Sequence, residues 1–267
     1  SLPILGGTVY FPGGTYKISS TIVVPRYISI KGSTHTSTKI NNVAVNGSAA
    51  IQVTMPNATS LGLANRLVFE DIDITGNDNS GDGIALDNIY QVYINRCSIY
   101  NHGGRGVNSY VAPGKASAYN NGLYISNSHI YYNKLGGIRF ITGDSVIVSN
   151  THINQNGYYG IYLSAAKIAK IADCEFSGYY YGSKTAGEQA IPIVVNGGNN
   201  ITVDACSFEN NGGNGVTAKV AAQQFKDGQG QVLVGTAANY SEGIDLPRQT
   251  APVIFFLRPG YPNPKDP

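Results

Sequence analysis

Along most of the chain, short apolar stretches alternate residue by residue with polar ones, and none keeps a helical period. Six segments align without gaps over their centres: FEDIDITGN from Phe69, INRCSIYN from Ile94, ISNSHIYYN from Ile125, VSNTHINQN from Val148, IADCEFSG from Ile171 and VDACSFENN from Val203. Their starts lie 25, 31, 23, 23 and 32 residues apart, which gives a basic period of 23 to 25 with two expanded intervals. A Gly and a short apolar strand follow five of them: GDGIAL at 81–86, GRGVNS at 104–109, GGIRF at 136–140, YGIYL at 159–163 and NGVTA at 214–218. A period this short, built from alternating strands, fits one coil of a parallel β-solenoid whose inward side chains stack on the next coil. The predicted fold is all-β, a single-stranded parallel β-helix with coils of 23–25 residues and two loop insertions.

Alternation separates inside from outside. One inward column is predicted to hold Ile74, Ile99, Ile130, Ile153, Phe176 and Phe208, and another Ile72, Cys97, Ser128, Thr151, Cys174 and Cys206. All three cysteines therefore fall in one buried column, as small apolar fillers. The alternative is a Cys174–Cys206 disulfide between neighbouring coils, for which parallel Cβ vectors are poorly directed. Asn77, His102, Asn133, Asn156, Tyr179 and Asn211 share a turn position, which suggests an internal amide ladder. His102 interrupts that ladder and is expected to turn outward.

Composition narrows the function. Only 13% of the residues are charged, about half the usual share, and the net charge is +2 without a basic stripe, so nucleic acid is not an expected partner. No apolar run approaches the roughly 20 residues that span a bilayer, so membrane insertion is not expected. No Cys-x-x-Cys or Cys/His spacing suggests a metal.

The opening GGTVYFPGGTYKISSTIVVPRYISIKGSTHTSTKI, residues 6–40, resembles the first coils of the pectate-lyase-like right-handed parallel β-helix superfamily, especially the bacteriophage tailspike and capsule-depolymerase type. The coils from 69 to 218 look like its generic repeats. The resemblance implies a right-handed solenoid, an extracellular or virion-surface location, a homotrimer and a polysaccharide partner. The helix that usually caps such a solenoid is missing before residue 6, so the chain is expected to be a fragment or to be capped by a partner. One domain is expected, with N-terminal coils at 1–47, regular coils at 48–218 and a cap with a Pro-rich tail at 219–267. A strand at Gln231–Val234 and the apolar run Val253–Leu257 are candidates to close the open end or to meet another subunit.

In that superfamily the sugar groove runs along the sheet of Gly-Ile strands and the turn before it. The repeat then puts Asp82, Arg105, Gly136, Tyr159 and Asn214 in one column, and Ala85, Asn108, Arg139, Tyr162 and Thr217 in the next. Both insertions, 108–122 and 182–192, are placed to rise beside this patch, as loops on rigid scaffolds often do. Twelve of the 19 tyrosines lie between Tyr100 and Tyr181 and either stack on sugar rings or simply suit strand surfaces. For hydrolysis, which uses two carboxyl groups, the candidates are Asp82 with Asp78, and then Glu188. For β-elimination on a uronic acid, Arg105, Arg139, Lys134, His102 and Tyr159 are the candidate cations, bases and acids. Asn108, Tyr159, Tyr162, Lys134, His102 and Glu188 are the expected substrate contacts. The HGGRG following GDGI departs from the polygalacturonase pattern, which has consecutive aspartates there. No cofactor is expected, and a calcium site would have only Asp78 and Asp82 nearby. An inter-coil Asp82–Arg105 salt bridge is the purely structural alternative. A second outward column, Asp73, Ser98, His129, His152, Glu175 and Ser207, reads as a metal or sugar-acid site or, more simply, a solvated face or subunit contact. The function expected is cleavage or binding of a bacterial surface polysaccharide; the alternative is a non-catalytic glycan-binding or structural fibre module.

Overall fold

The computed structural model describes residues 6–25, 27–54, 66–110, 120–178, 191–198, 200–209, 225–226, 232–233 and 254–257. Within them there is no helix, and apart from one short hairpin every strand pairs in parallel with the equivalent strand one coil away. Three sheets result. The first stacks Gly7–Phe11, Ile28–Gly32, Leu67–Glu70, Tyr90–Asn95 and Asn121–Ser126, and then the C-terminal halves of Gly136–Ser149 and Tyr159–Ala172. The second has eight short strands, from Gly14–Ile18 to Ser207–Glu209. The third stacks Ile22–Val24, Ile51–Thr54, Ile84–Asp87 and Arg105–Tyr110, and then the N-terminal halves of the two long strands and Ile191–Gly198. The two 14-residue strands run continuously through sheets three and one.

The sheets meet at corners where one residue adopts a left-handed backbone. Asp71, Arg96, Asn127, Asn150, Asp173 and Ala205 occupy the same corner of successive coils, with φ between 45° and 58°. Four of these six are Asn or Asp, whose short polar side chains tolerate that conformation best among non-glycine residues. The corner therefore recurs with the repeat and folds each coil at the same place.

The two inward columns are as the alternation predicts. Ile74, Ile99, Ile130, Ile153 and Phe176 are fully buried and in register, and Ile72, Cys97, Ser128, Thr151 and Cys174 are buried beside them. Burying each large apolar side chain is worth about 1.5–3 kcal/mol, so a column of five contributes substantially to cohesion between coils. All three cysteines are free thiols, and no Cys174–Cys206 bond forms.

The amide ladder is present, and His102 is part of it. Asn133 and Asn156 each donate an amide hydrogen to a carbonyl, Ile99 O at 3.1 Å and Ile130 O at 2.9 Å. His102 Nε2 lies 3.2 Å from Ile74 O in the equivalent place, and the His102 N–H donates to Asn133 Oδ1. The imidazole thus stands in for an amide, only 1% exposed, and the expectation that it turns outward is corrected. Burial pushes its pKa down to about 4.

Two boundaries also differ from the sequence reading. Ile51–Thr54 shares a coil with Ile28–Gly32 and Thr38–Asn42, so residue 47 falls inside a coil. Val232–Leu233 pairs antiparallel with Phe225–Lys226 as a hairpin and does not close a coil. Ile254–Leu257 adds in parallel to Ile191–Gly198 as the next strand of that sheet.

Candidate functional site

The third sheet carries the site. Along its outer face the register aligns Val23, Gln52, Ala85, Asn108, Arg139, Tyr162 and Val194. Ala85, Asn108, Arg139 and Tyr162 are thus neighbours as predicted. Thr217 is replaced by Val194, because Ile191–Gly198 supplies the next coil; Thr217 and Asn214 lie outside the described residues, as do Glu188 and most of both insertions.

Asp82 is the centre of the patch. It sits on the turn entering Ile84–Asp87, partly exposed, and both of its oxygens are held. The Arg105 backbone N–H donates to Oδ1 at 2.7 Å, and Asn108 Nδ2 donates to Oδ2 at 2.7 Å. Arg105 Nη1 stands 3.9 Å from Oδ1, the outer limit of an ion pair. Arg105 is only 7% exposed, and its Nε donates to the Tyr159 hydroxyl at 2.7 Å.

Beside Asp82 an open cavity of about 410 Å³ is lined by Gln52, Ala85, Asn108, Tyr110, Leu135 and several glycines of the adjoining turns. This is within the ~300–1,000 Å³ usual for ligand pockets. Glycine is required in that wall: side chains on Gly81 and Gly104 would run into the Gly47 carbonyl and Asp82 respectively. Gln52 and Tyr110, missed by sequence reasoning, form the far wall, with Gln52 Nε2 3.4 Å from the Tyr110 hydroxyl. Burial holds that phenol above its usual range, helped by Asp87 and Asp82. The signal for Gln52 was available in IQVT, which has the apolar pattern of a groove strand but no preceding glycine.

Other predicted residues fall elsewhere. Asp78 is exposed on the turn before Asp82 and does not line the cavity. Arg139 is partly exposed and Lys134 exposed, and neither lines it. His102 is enclosed in the core and cannot contact substrate as it lies. Tyr159 and Tyr162 are 5% and 3% exposed and pack with Val194 as an aromatic cluster, ring centroids 5.3 Å apart, so their faces are not offered for sugar stacking.

The column Asp73, Ser98, His129, His152, Glu175 and Ser207 forms as predicted, on a different face from the groove, the second sheet. His152 Nδ1 is 3.0 Å from Glu175 Oε2, and Tyr100 and Tyr131 stack beside the column at 4.7 Å. Burial and the neighbouring His152 push the His129 imidazole down, and burial pushes the Asp73 carboxyl up. Among the described residues no three His, Cys, Asp or Glu side chains converge as a metal site requires.

Residues 116–227 match the family model described as a right handed beta helix region. A second model, a helicase C-terminal domain, matches residues 200–267. The described strands there argue for the first, because Ile201–Asp204, Ser207–Glu209 and Ile254–Leu257 all continue the parallel coils. No curated protein matches the sequence. Among solved structures, a Geobacillus virus E2 protein, ORF18, is similar at 20% identity with a TM-score of 0.40, over 78% of this chain and 52% of that one. This chain therefore spans about half the length of the viral protein. The A-module of a mannuronan C-5 epimerase from Azotobacter vinelandii is similar at 15% identity, TM-score 0.39, over 75% and 67%. A pectin methylesterase from Erwinia chrysanthemi is similar at 11% identity, TM-score 0.38, over 87% and 77%. None of these supplies a residue role here. With its three parallel sheets, its inward columns and the family match over residues 116–227, the chain folds as a right-handed parallel β-helix.

Proposed function

We propose that the protein is a carbohydrate-active β-helix that holds a polysaccharide in the groove beside Asp82 and cleaves it there. The observation that carries this reading is the open cavity on a rigid parallel sheet, with a carboxylate fixed by two donors at 2.7 Å on its wall. A carboxylate held this firmly is prepositioned for acid–base work on a bound chain, and a flat sheet with coils every ~4.8 Å suits an extended polymer. Hydrolysis with Asp82 as one of two carboxyl groups is favoured over β-elimination, because Arg105 and Tyr159 are bound to each other below the surface. A polymer substrate fits work at an extracellular or virion surface on a bacterial polysaccharide. Exposed Ile147 and Ile168, with partly exposed Val68, Tyr93 and Tyr124 on the first sheet, support homotrimeric assembly.

A second reading, a non-catalytic glycan-binding fibre module, is favoured by one observation: among the described residues Asp82 is the one carboxylate lining the groove. The experiment that separates them is reducing-end release, with ultraviolet absorbance of unsaturated uronates followed in parallel, for the protein and Asp82→Asn on a panel of polysaccharides. Reducing ends lost in the variant are expected for the hydrolase; a parallel rise in absorbance identifies a lyase. Silence with retained binding selects the fibre module, and absence of all binding overturns the glycan reading.

A further inference from the structure

The charges around the groove are unevenly distributed, and this bears on what kind of sugar unit the cavity accepts. Its described lining contains one charged side chain, the Asp82 carboxylate, and no cation. The cations of the neighbourhood lie outside that lining: Arg105, 7% exposed, donates to Tyr159 and reaches Asp82 Oδ1 only at 3.9 Å, and Lys134 and Arg139 do not line the cavity.

The remaining hydrogen-bonding capacity is of one kind. A carboxylate only accepts, and Asn108 commits its amide nitrogen to Asp82 Oδ2. That bond fixes the orientation of the amide and leaves Asn108 Oδ1 buried and closed to a ligand, without a partner among the described residues. A ligand entering here meets the accepting Asp82 carboxylate on one wall, the Gln52–Tyr110 pair on the other, and Ala85, Leu135 and bare glycine backbone between them. Sugar hydroxyls, which donate, satisfy such a wall. A uronate carboxylate would face Asp82 with no cation in the described lining to pair with, the buried Arg105 guanidinium lying behind Asp82 at 3.9 Å, and like charges at short range disfavour each other.

We infer that the Asp82 cavity is selective for an uncharged pyranose unit and excludes a uronic acid. This rests on the glycan reading above and sharpens it by naming the substrate class. The chemistry it selects is direct hydrolysis or recognition, since β-elimination requires the uronate.

The test is affinity electrophoresis of the full chain through native gels containing either neutral polymers (dextran, galactomannan) or acidic ones (polygalacturonate, alginate, hyaluronan), at low and moderate salt. The expected result is retardation by at least one neutral polymer and by none of the acidic ones. Asp82→Asn is expected to weaken that retardation about tenfold. If Asp82→Asn does not fold, judged by its melting transition, Gln52→Ala and Tyr110→Phe test the opposite wall and are expected to weaken binding severalfold. Retardation by a uronate polymer that survives moderate salt and is abolished by Arg139→Ala overturns the inference while leaving glycan binding intact. Retardation by no polymer of either class overturns the glycan reading itself.

Discussion

Arg105 and Tyr159 hydrogen-bond across an intervening coil, Nε to hydroxyl at 2.7 Å, because the residue between them in the stack is Gly136. A Cβ on Gly136 would collide with the Tyr159 ring, so the missing side chain is what lets the phenol lie over that coil. The backbone at residue 136 is not left-handed, and alanine is therefore sterically refused by Tyr159 alone. Gly136→Ala is expected to displace the ring, release Arg105 and lower stability by about 1–3 kcal/mol, close to the loss from Tyr159→Phe. Denaturant unfolding of both single variants and the double variant checks this: the two losses should be far from additive.

His102 makes stability depend on pH. Its folded pKa is depressed to about 4, whereas an unfolded histidine titrates near 6.5. Its contribution is therefore complete above pH 6.5 and is lost as the pH falls towards 4, because the unfolded chain takes up the proton first. The loss amounts to about 3 kcal/mol. His102→Asn, which restores the residue type found at Asn77, Asn133 and Asn156, is expected to remove that component. Melting curves of variant and wild type between pH 7 and 4 should diverge in this sense; parallel curves would contradict it.

The thiols should react in a fixed order. Burial pushes Cys97 up to about 12, while the Cys174 thiol, donating to Cys206, holds Cys206 below the ordinary thiol range and is itself held high. Cys206 is also the least buried of the three. Iodoacetamide labelling of the native protein read by mass spectrometry is expected to find Cys206 first and Cys97 only after unfolding. Equal native labelling of Cys97 would show that the column opens readily.

Ile130 lies between Ile99 and Ile153 in the central column, all fully buried. Ile130→Ala leaves a cavity that coils fixed by backbone ladders cannot close, and a loss of about 2–5 kcal/mol is expected. Asp78→Asn, on an exposed turn outside the groove, is expected to change stability by less than about 0.5 kcal/mol and to leave glycan binding unchanged. Urea unfolding of the two variants, with binding measured on Asp78→Asn, makes the comparison.

The coil could be read from the chain because alternation has a strict period of two and the corner recurs with each repeat. Phe69, Ile94, Ile125, Val148, Ile171 and Val203 are aligned in the sequence and in register in the structure. The groove was legible only in part. Asp82 and Asn108 were placed beside the cavity because a glycine marks the strand that follows each turn. Gln52 was not, since its strand lacks that mark, and Tyr110 was not, since it ends its strand at the edge of an insertion.

By itself, then, the sequence determined the parallel solenoid and its two inward columns, because each depends on local alternation repeated at a steady interval; the face expected to carry a groove came from the family resemblance. The tertiary structure alone decided which of those outward residues are open to a ligand. Arg105 is removed from the groove by a tyrosine 54 positions later, and His102 is retained in the core by a carbonyl 28 positions earlier. Such pairings depend on which coil lands on which, and on what a missing side chain such as that of Gly136 allows to pass. Neither is a property of any local stretch of the chain.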